Sequence, residues 1–294
     1  MITDKGFLKR FRTGILFTAP TLFAFTTVMI VPFLYGLYLT FTNWDGIATT
    51  LTYVGFENYR SVFEDKAFWI SFLLTLKYVI ASVMLINVVA FLLAYTLTSG
   101  LKGQKFFRAG FFIPNLIGGI LLGLVWQFIF SNLMVFIGKQ LNLSFIENSW
   151  LVDPDKALGA MVIVTVWQFA GYMMIIYIAG LMSVPNDILE AASIDGANKW
   201  VTMRAMILPM IVPSIIICVF LSLQRTFMVY DVNLSLTAGG PYGSTELISM
   251  HVFRKAFLSR DYGVGQAEAF VLFLLVATIT FLQVYFSKKK EVEA

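Results

Sequence analysis

The chain has 294 residues, of which 59% are hydrophobic and 16% aromatic, while only 13% carry charge. A soluble domain of this length carries roughly twice that charged fraction, so a mean hydropathy of +0.80 excludes a soluble globular protein and points to an integral membrane protein. The net charge of +4 needs no nucleic acid to explain it, and the single cysteine, Cys218, excludes an internal disulfide.

A helix crossing a bilayer needs about 20 largely apolar residues. Six segments qualify, at about 14–41, 68–99, 109–137, 158–182, 207–235 and 264–287. The first follows a basic start (Lys5, Lys9, Arg10, Arg12) and is too long for the core of a signal peptide, so it is read as a retained span. Alternation and hairpin signals are missing, which argues against a β-barrel and leaves a helical bundle. The expected fold is therefore an all-α, multi-pass membrane protein: six transmembrane helices in one domain over 1–294. Pro20 and Pro32 in the first span, Pro114 early in the third, and Pro209 and Pro213 at the start of the fifth predict kinks, because proline lacks the N–H that a helix bonds.

Lys and Arg assign the sides. The N-terminus, the 100–108 and 183–206 loops and the tail carry twelve of them; the other three, longer connections carry seven, with nine acidic residues. By the positive-inside rule both termini and the 183–206 loop are expected in the cytoplasm.

That loop is polar, acidic and rich in small residues. Val184-Pro185-Asn186-Asp187 reads as a helix start, with Asn or Asp able to cap exposed N–H groups. Ile188 to Asp195 makes about two turns, closed by Gly196 in left-handed geometry. Ala197 to Met206 then forms a second short helix running into the fifth span at Leu208-Pro209. The result is an angled knob whose low surface (Ala191, Ala192, Ala197) fits a groove and whose Asp187, Glu190 and Asp195 offer charge to a partner's rim. An ordinary re-entry loop of helix-favouring residues satisfies the same pattern.

The stretch Glu190-Ala191-Ala192-Ser193-Ile194-Asp195-Gly196-Ala197 with Leu208-Pro209 resembles the "EAA" loop of importer-type ABC permeases. Ala179-Gly180-Leu181, Phe41-Thr42-Asn43-Trp44, Val54-Gly55-Phe56-Glu57-Asn58-Tyr59, Leu236-Thr237-Ala238-Gly239-Gly240-Pro241 and Asp261-Tyr262-Gly263 extend the likeness over nearly the whole chain. Met206 stands where the family usually has isoleucine. The likeness is to the carbohydrate branch, whose permeases are paired and non-identical. It implies the ABC importer permease fold and a bacterial cell (inner) membrane location. It also implies a heterodimer with a second homologous permease, two cytoplasmic ABC ATPases that bind ATP and Mg, and an extracytoplasmic sugar-binding protein. Asp187, Glu190, Ala191, Ala192, Asp195, Gly196, Ala197, Leu208 and Pro209 are then the residues that couple to the ATPase. This chain has no G-x-x-x-x-G-K-[ST] run, so no cofactor is expected in it.

Sugars are held by aromatic faces and by a few amides, carboxylates and guanidinium groups in an apolar wall. The fifth span carries such a set: Gln224, Arg225, Thr226, Tyr230, Asp231 and Asn233. On a continuous helix Gln224 and Asp231, seven apart, share a face, whereas Arg225 and Asp231 diverge; Glu268 is a candidate partner for Arg225. Asp231, Asn233 and Glu268 equally suit a place at the outer boundary. Trp126 and Trp167, each followed by glutamine, are candidates for a stacking platform and equally for helix packing. Gly119 and Gly123 match a helix-contact spacing. One histidine, His251, with no Cys/His cluster gives no basis for a metal site.

The expected function is sugar import by ATP-driven alternating access, the sugar an oligosaccharide. Glycerol-3-phosphate or another small polar solute is the alternative, since Arg225 suits a phosphate. A secondary transporter would need carboxylate or histidine relays in the membrane. An enzyme would need a nucleophile–base pair or a metal cluster, and neither is found.

Overall fold

The computed structural model describes residues 4–48 and 50–288, with side chains from Thr13 onward. Lys5, Lys9, Arg10 and Arg12, and Lys289 and Lys290 of the basic tail, lie outside the described side chains. In chain order the helices are α1 (Asp4–Phe25), α2 (Val31–Leu39), α3 (Glu57–Glu64), α4 (Lys66–Thr98), α5 (Gln104–Phe112), α6 (Gly119–Phe128) and α7 (Met134–Leu141). They continue with α8 (Pro154–Met182), α9 (Asn186–Ile194), α10 (Lys199–Thr202), α11 (Leu208–Met210), α12 (Val212–Phe227), α13 (Asp231–Leu236), α14 (Ile248–Phe253) and α15 (Tyr262–Lys288). Among the described residues the only β pairing is an isolated bridge between Thr42 and Tyr53.

Five stretches are long and apolar enough to cross a membrane: Thr13–Leu39, Lys66–Thr98, Gly119–Leu141, Pro154–Met182 and Tyr262–Lys288. A sixth is broken, with Lys199–Met210 and Val212–Phe227 bent by 71° at Ile211. Two expected spans need correction. The third does not run unbroken from residue 109. It ends one helix at Phe112, tightens into a 3₁₀ turn over Ile113–Leu116 at Pro114, and restarts at Gly119 after an extended Ile117 and Gly118. The fifth does not reach residue 235 as one helix. It stops at Phe227 and restarts as α13 at Asp231.

The single domain expected over 1–294 divides by its internal contacts into two units, residues 1–65 with 252–272, and residues 66–251 with 273–294. In the first unit the loop after α2 is tied to α3 by Asn58, whose Nδ2 donates to the carbonyls of Thr40 and Thr42, both at 2.8 Å. Thr40 Oγ1 also meets the Tyr59 hydroxyl at 2.9 Å. Phe41 packs edge-on against Phe56, and Trp44 accepts at its carbonyl from the Gly263 N–H at 3.1 Å. The Val54–Tyr59 motif thus has a physical role: it satisfies a buried turn.

In the second unit α8 is the central helix. Of its most apolar window 67% is buried, against 6% for the first span. It packs against α4 and α12 around Ile86, Ala90, Met173, Met174 and Cys218. Polar contacts fix this register. Tyr78 and Thr165 hydroxyls lie 2.6 Å apart, and Tyr177 donates to Asn87 Oδ1 at 2.8 Å while Asn87 Nδ2 donates to Ser222 at 3.2 Å. Such bonds between spans hold helices that gain nothing from hydrophobic association in lipid. α6 meets α13 through Gly119 and Gly123. A Cβ at Gly119 would lie 2.7 Å from the Asp231 Cβ, and one at Gly123 would overlap the Ser235 hydroxyl.

Two outcomes follow from these contacts. Asn58→Leu leaves two buried carbonyls unpaired, each worth about 1–3 kcal/mol, and should lower the midpoint of thermal unfolding in detergent. Gly123→Val should force α6 and α13 apart at a cost of about 1–3 kcal/mol, again read by thermal unfolding, whereas Gly110→Ala, inside α5 with no heavy atom near its Cβ, should not lower it.

Candidate functional site

Two features of the second unit invite function: a polar cleft at the broken helices and the knob between α8 and α12. The cleft, about 700 Å³, lies where the two helix breaks face each other. One wall is Asn115 to Gly119 from the break in the third span; the opposite wall is Met228 to Val232 from the break in the fifth. Irregular backbone at membrane depth is tolerated only where protein covers it or a water-filled cavity solvates it. Two breaks around one cavity meet that condition.

Leu221, Gln224 and Arg225 from the end of α12, and Gln168, Phe169 and Tyr172 from α8, complete the lining. Gln168 Nε2 donates to the Ile117 carbonyl at 3.3 Å, one of the groups freed by the break. Arg225 sits in the last turn of α12, where the helix dipole favours a cation. Its guanidinium carbon lies 5.4 Å from the centre of the Phe169 ring, a cation–π distance. Asp231 occupies the first turn of α13, the end that favours an anion. Gln224 and Asp231 therefore share the cleft because the helix breaks between them, not because they share a face of one continuous helix.

Four expected pathway residues lie elsewhere. Thr226 is buried and donates to the Ser222 carbonyl at 2.8 Å, inside its own helix. Asn233 is buried and donates to the Thr245 carbonyl at 2.8 Å and to Thr237 Oγ1 at 3.1 Å, fastening the loop after α13. Trp126 and Trp167 pack edge-on to each other at 5.6 Å, and Trp167 lines a separate, apolar cleft. A buried threonine on a helix finds its nearest acceptor one turn back, and an indole at membrane depth finds another ring more cheaply than water; both outcomes remove a side chain from a polar cavity. Conversely, Asn115 and Tyr172 line the cleft without having been singled out in sequence. Pro114, which marks the break, was the available signal for Asn115.

The knob is built as a turn between short helices. α9 starts after Pro185, with no side-chain cap from Asn186 or Asp187, which lie inside the helix. It ends in a Schellman motif: the Ala197 N–H donates to the Ala192 carbonyl at 2.9 Å and Gly196 N–H to Ser193 at 3.2 Å. Gly196 has φ +73° with open space around its Cβ position. The second helix begins at Lys199 rather than Ala197, capped by Asn198, whose Oδ1 accepts from the Val201 N–H at 2.9 Å. A π turn over Met203–Ile207 then leads to Leu208-Pro209 and the bend at Ile211. Ala192 is buried, while Asp187, Glu190, Ala191, Asp195 and Gly196 are exposed and Ala197 is half-buried. Ile194 and Trp200 are 86% and 70% exposed, so the knob presents apolar as well as acidic surface.

Residues 5–292 match the model of the family described as binding-protein-dependent transport system inner membrane component. A probable starch degradation products transport system permease of Thermoanaerobacterium thermosulfurigenes is 40% identical over 97% of this chain and 98% of its own. A multiple sugar-binding transport system permease of Streptococcus mutans is 33% identical over 89% and 90%. Among solved structures, a chain of a bacterial ABC transporter involved in import of the acidic polysaccharide alginate superposes with a TM-score of 0.82. It is 18% identical, covering 97% of this chain and 99% of that one, and shares the fold. With its spans and its family match over nearly the full length, this chain belongs to the inner-membrane components of binding-protein-dependent transport systems, a family of transport subunits rather than enzymes.

Proposed function

We propose that this chain is one permease subunit of an ABC importer for a neutral oligosaccharide, and that the cleft between the two helix breaks is its sugar contact. The observation that carries the reading is the composition of that cleft: rings of Phe169, Tyr172 and Tyr230 beside Asn115, Gln168, Gln224, Arg225 and Asp231. Rings suit the C–H faces of a pyranose, and amides and charged groups suit its hydroxyls. The names of the relatives, for starch degradation products and for multiple sugars, support the same class. Asp231 lines the same cleft, and its carboxylate repels an anionic solute.

The partners in this reading are a second homologous permease, two ATPases that hold ATP and Mg, and a sugar-binding protein on the outer face. In this reading both termini and the 183–206 knob are cytoplasmic, which the distribution of Lys and Arg supports. The knob, through Asp187, Glu190, Ala191, Ala192, Asp195, Gly196, Ala197, Leu208 and Pro209, takes up ATPase closure. Leu208-Pro209 and the bend at Ile211 carry it to α12, whose far end lines the cleft. A ligand or partner shifts such an equilibrium only by its differential affinity for the two packings, and the coupling is reciprocal. Loaded binding protein should therefore raise ATP turnover.

The test is uptake of labelled α-1,4-linked glucose oligosaccharides by the complete complex in proteoliposomes. Arg225→Ala should lower uptake roughly 10- to 100-fold, the value of a hydrogen bond to a charged group, with the complex still assembled; normal uptake overturns the cleft assignment. Gly196→Val places a branched side chain in the left-handed region at about 1–2 kcal/mol and should leave ATP hydrolysis without uptake. Gly196→Asn, which tolerates that region, should retain both; equal behaviour of the two variants would refute the role of this turn.

A further inference from the structure

A second cleft, about 630 Å³, opens between α4, α5 and α8. Val89 and Leu93, Phe107 and Phe111, and Val166 and Trp167 represent its three walls, and apart from the Trp167 indole no lining side chain carries a polar atom. It cannot take a sugar, whose hydroxyls would find no partner, and it gives water nothing to bond. On α4 the lining runs from Leu85 to Leu93, about 12 Å along the axis, comparable with one leaflet of a hydrocarbon core about 30 Å thick.

The helix that forms one wall is basic and two-faced. At 100° per residue, Gln104, Arg108 and Lys105 fall within one 100° arc of α5 and Phe106, Gly110 and Phe107 within the opposite one, while Phe111 borders the polar arc and Phe112 lies in it. The loop before it adds Lys102. The sequence has no Asp or Glu between Asp65 and Glu147, and among the described residues Lys102, Lys105 and Arg108 enter no ion pair. The Arg108 side chain has one hydrogen bond, a 3.4 Å contact to Gln104 Oε1, and its Nε is buried without a partner. An occupant matching both features needs a long apolar body and an anionic end.

We propose that this cleft is a phospholipid site: an acyl chain lies between α4, α5 and α8, and its anionic headgroup is met by Lys105 and Arg108. The site is separate from the polar cleft and does not depend on the sugar reading. Basic groups near an anionic headgroup supply the selectivity and the apolar wall supplies the seat.

The experiment uses the full complex reconstituted in nanodiscs of equal phosphatidylglycerol and phosphatidylcholine. After extraction in mild detergent, retained lipid is counted by native mass spectrometry. Wild type should retain phosphatidylglycerol preferentially. Lys105→Gln with Arg108→Gln should cut that preference about tenfold or more. Gly110→Leu, whose side chain enters the cleft without touching any heavy atom at its Cβ, should abolish retention while leaving thermal unfolding unchanged. A photoreactive benzoylphenylalanine replacing Gly110 should gain the mass of a lipid. Equal retention of the two lipids, unaltered retention in Gly110→Leu, or an adduct with the sister permease in place of lipid would each overturn the proposal.

Discussion

A helix in lipid satisfies its own backbone; a broken one cannot. The architecture of the second unit depends on how that deficit is met. The third span loses helical bonding at Ile117–Gly118 and the fifth at Met228–Tyr230, and the residues of both breaks line one cavity. Gln168 reaches the Ile117 carbonyl, and the Asp231–Leu236 helix is held against α6 by the absence of side chains at Gly119 and Gly123. Without that close approach the two breaks would lie apart, each exposing peptide groups to hydrocarbon at several kcal/mol per group. The cleft is thus a consequence of backbone accounting before it is a binding surface.

Polar side chains in the second unit fall into three groups with different physical roles. Tyr78, Asn87, Thr165, Tyr177 and Ser222 bond to one another between spans and set the register of α4, α8 and α12. Asn233 and Thr245 fasten a loop. Gln224, Arg225 and Asp231 face the cavity. Polarity alone does not separate these groups: Asn233 and Asp231 are two positions apart, and Asn233 is fastened because its Nδ2 donates to the Thr245 carbonyl whereas Asp231 lines the cavity.

The knob joins to the cleft through one helix. α12 begins just after the bend at Ile211, the turn residue between Pro209 and Pro213, and ends at the wall of the cleft. In the proposed coupling, this helix of 16 residues would transmit a displacement of the knob to the cleft as one body, because a helix stretches little along its hydrogen-bonded axis.

Much of this was legible in residues alone. Apolar runs longer than 18 residues announce spans, since lipid offers no other way to satisfy a backbone. The turn at Gly196 is local chemistry: a glycine after a helical run adopts the left-handed geometry that two Schellman bonds require. Pro114, Pro209 and Pro213 foretold interruptions for the same local reason. The break at Met228–Tyr230 carries no proline or glycine, so it has no local signature; it exists because α13 packs on α6 and Ser249 bonds the Val229 carbonyl. The roles of Thr226, Asn233, Trp126 and Trp167 were likewise undecidable in sequence, because a polar or aromatic side chain at membrane depth takes whichever partner the neighbouring helix supplies. Composition and local backbone chemistry therefore determined that the chain spans a membrane and carries an angled knob, whereas only tertiary packing decided which polar groups meet in the cavity, since that depends on contacts between residues more than a hundred positions apart.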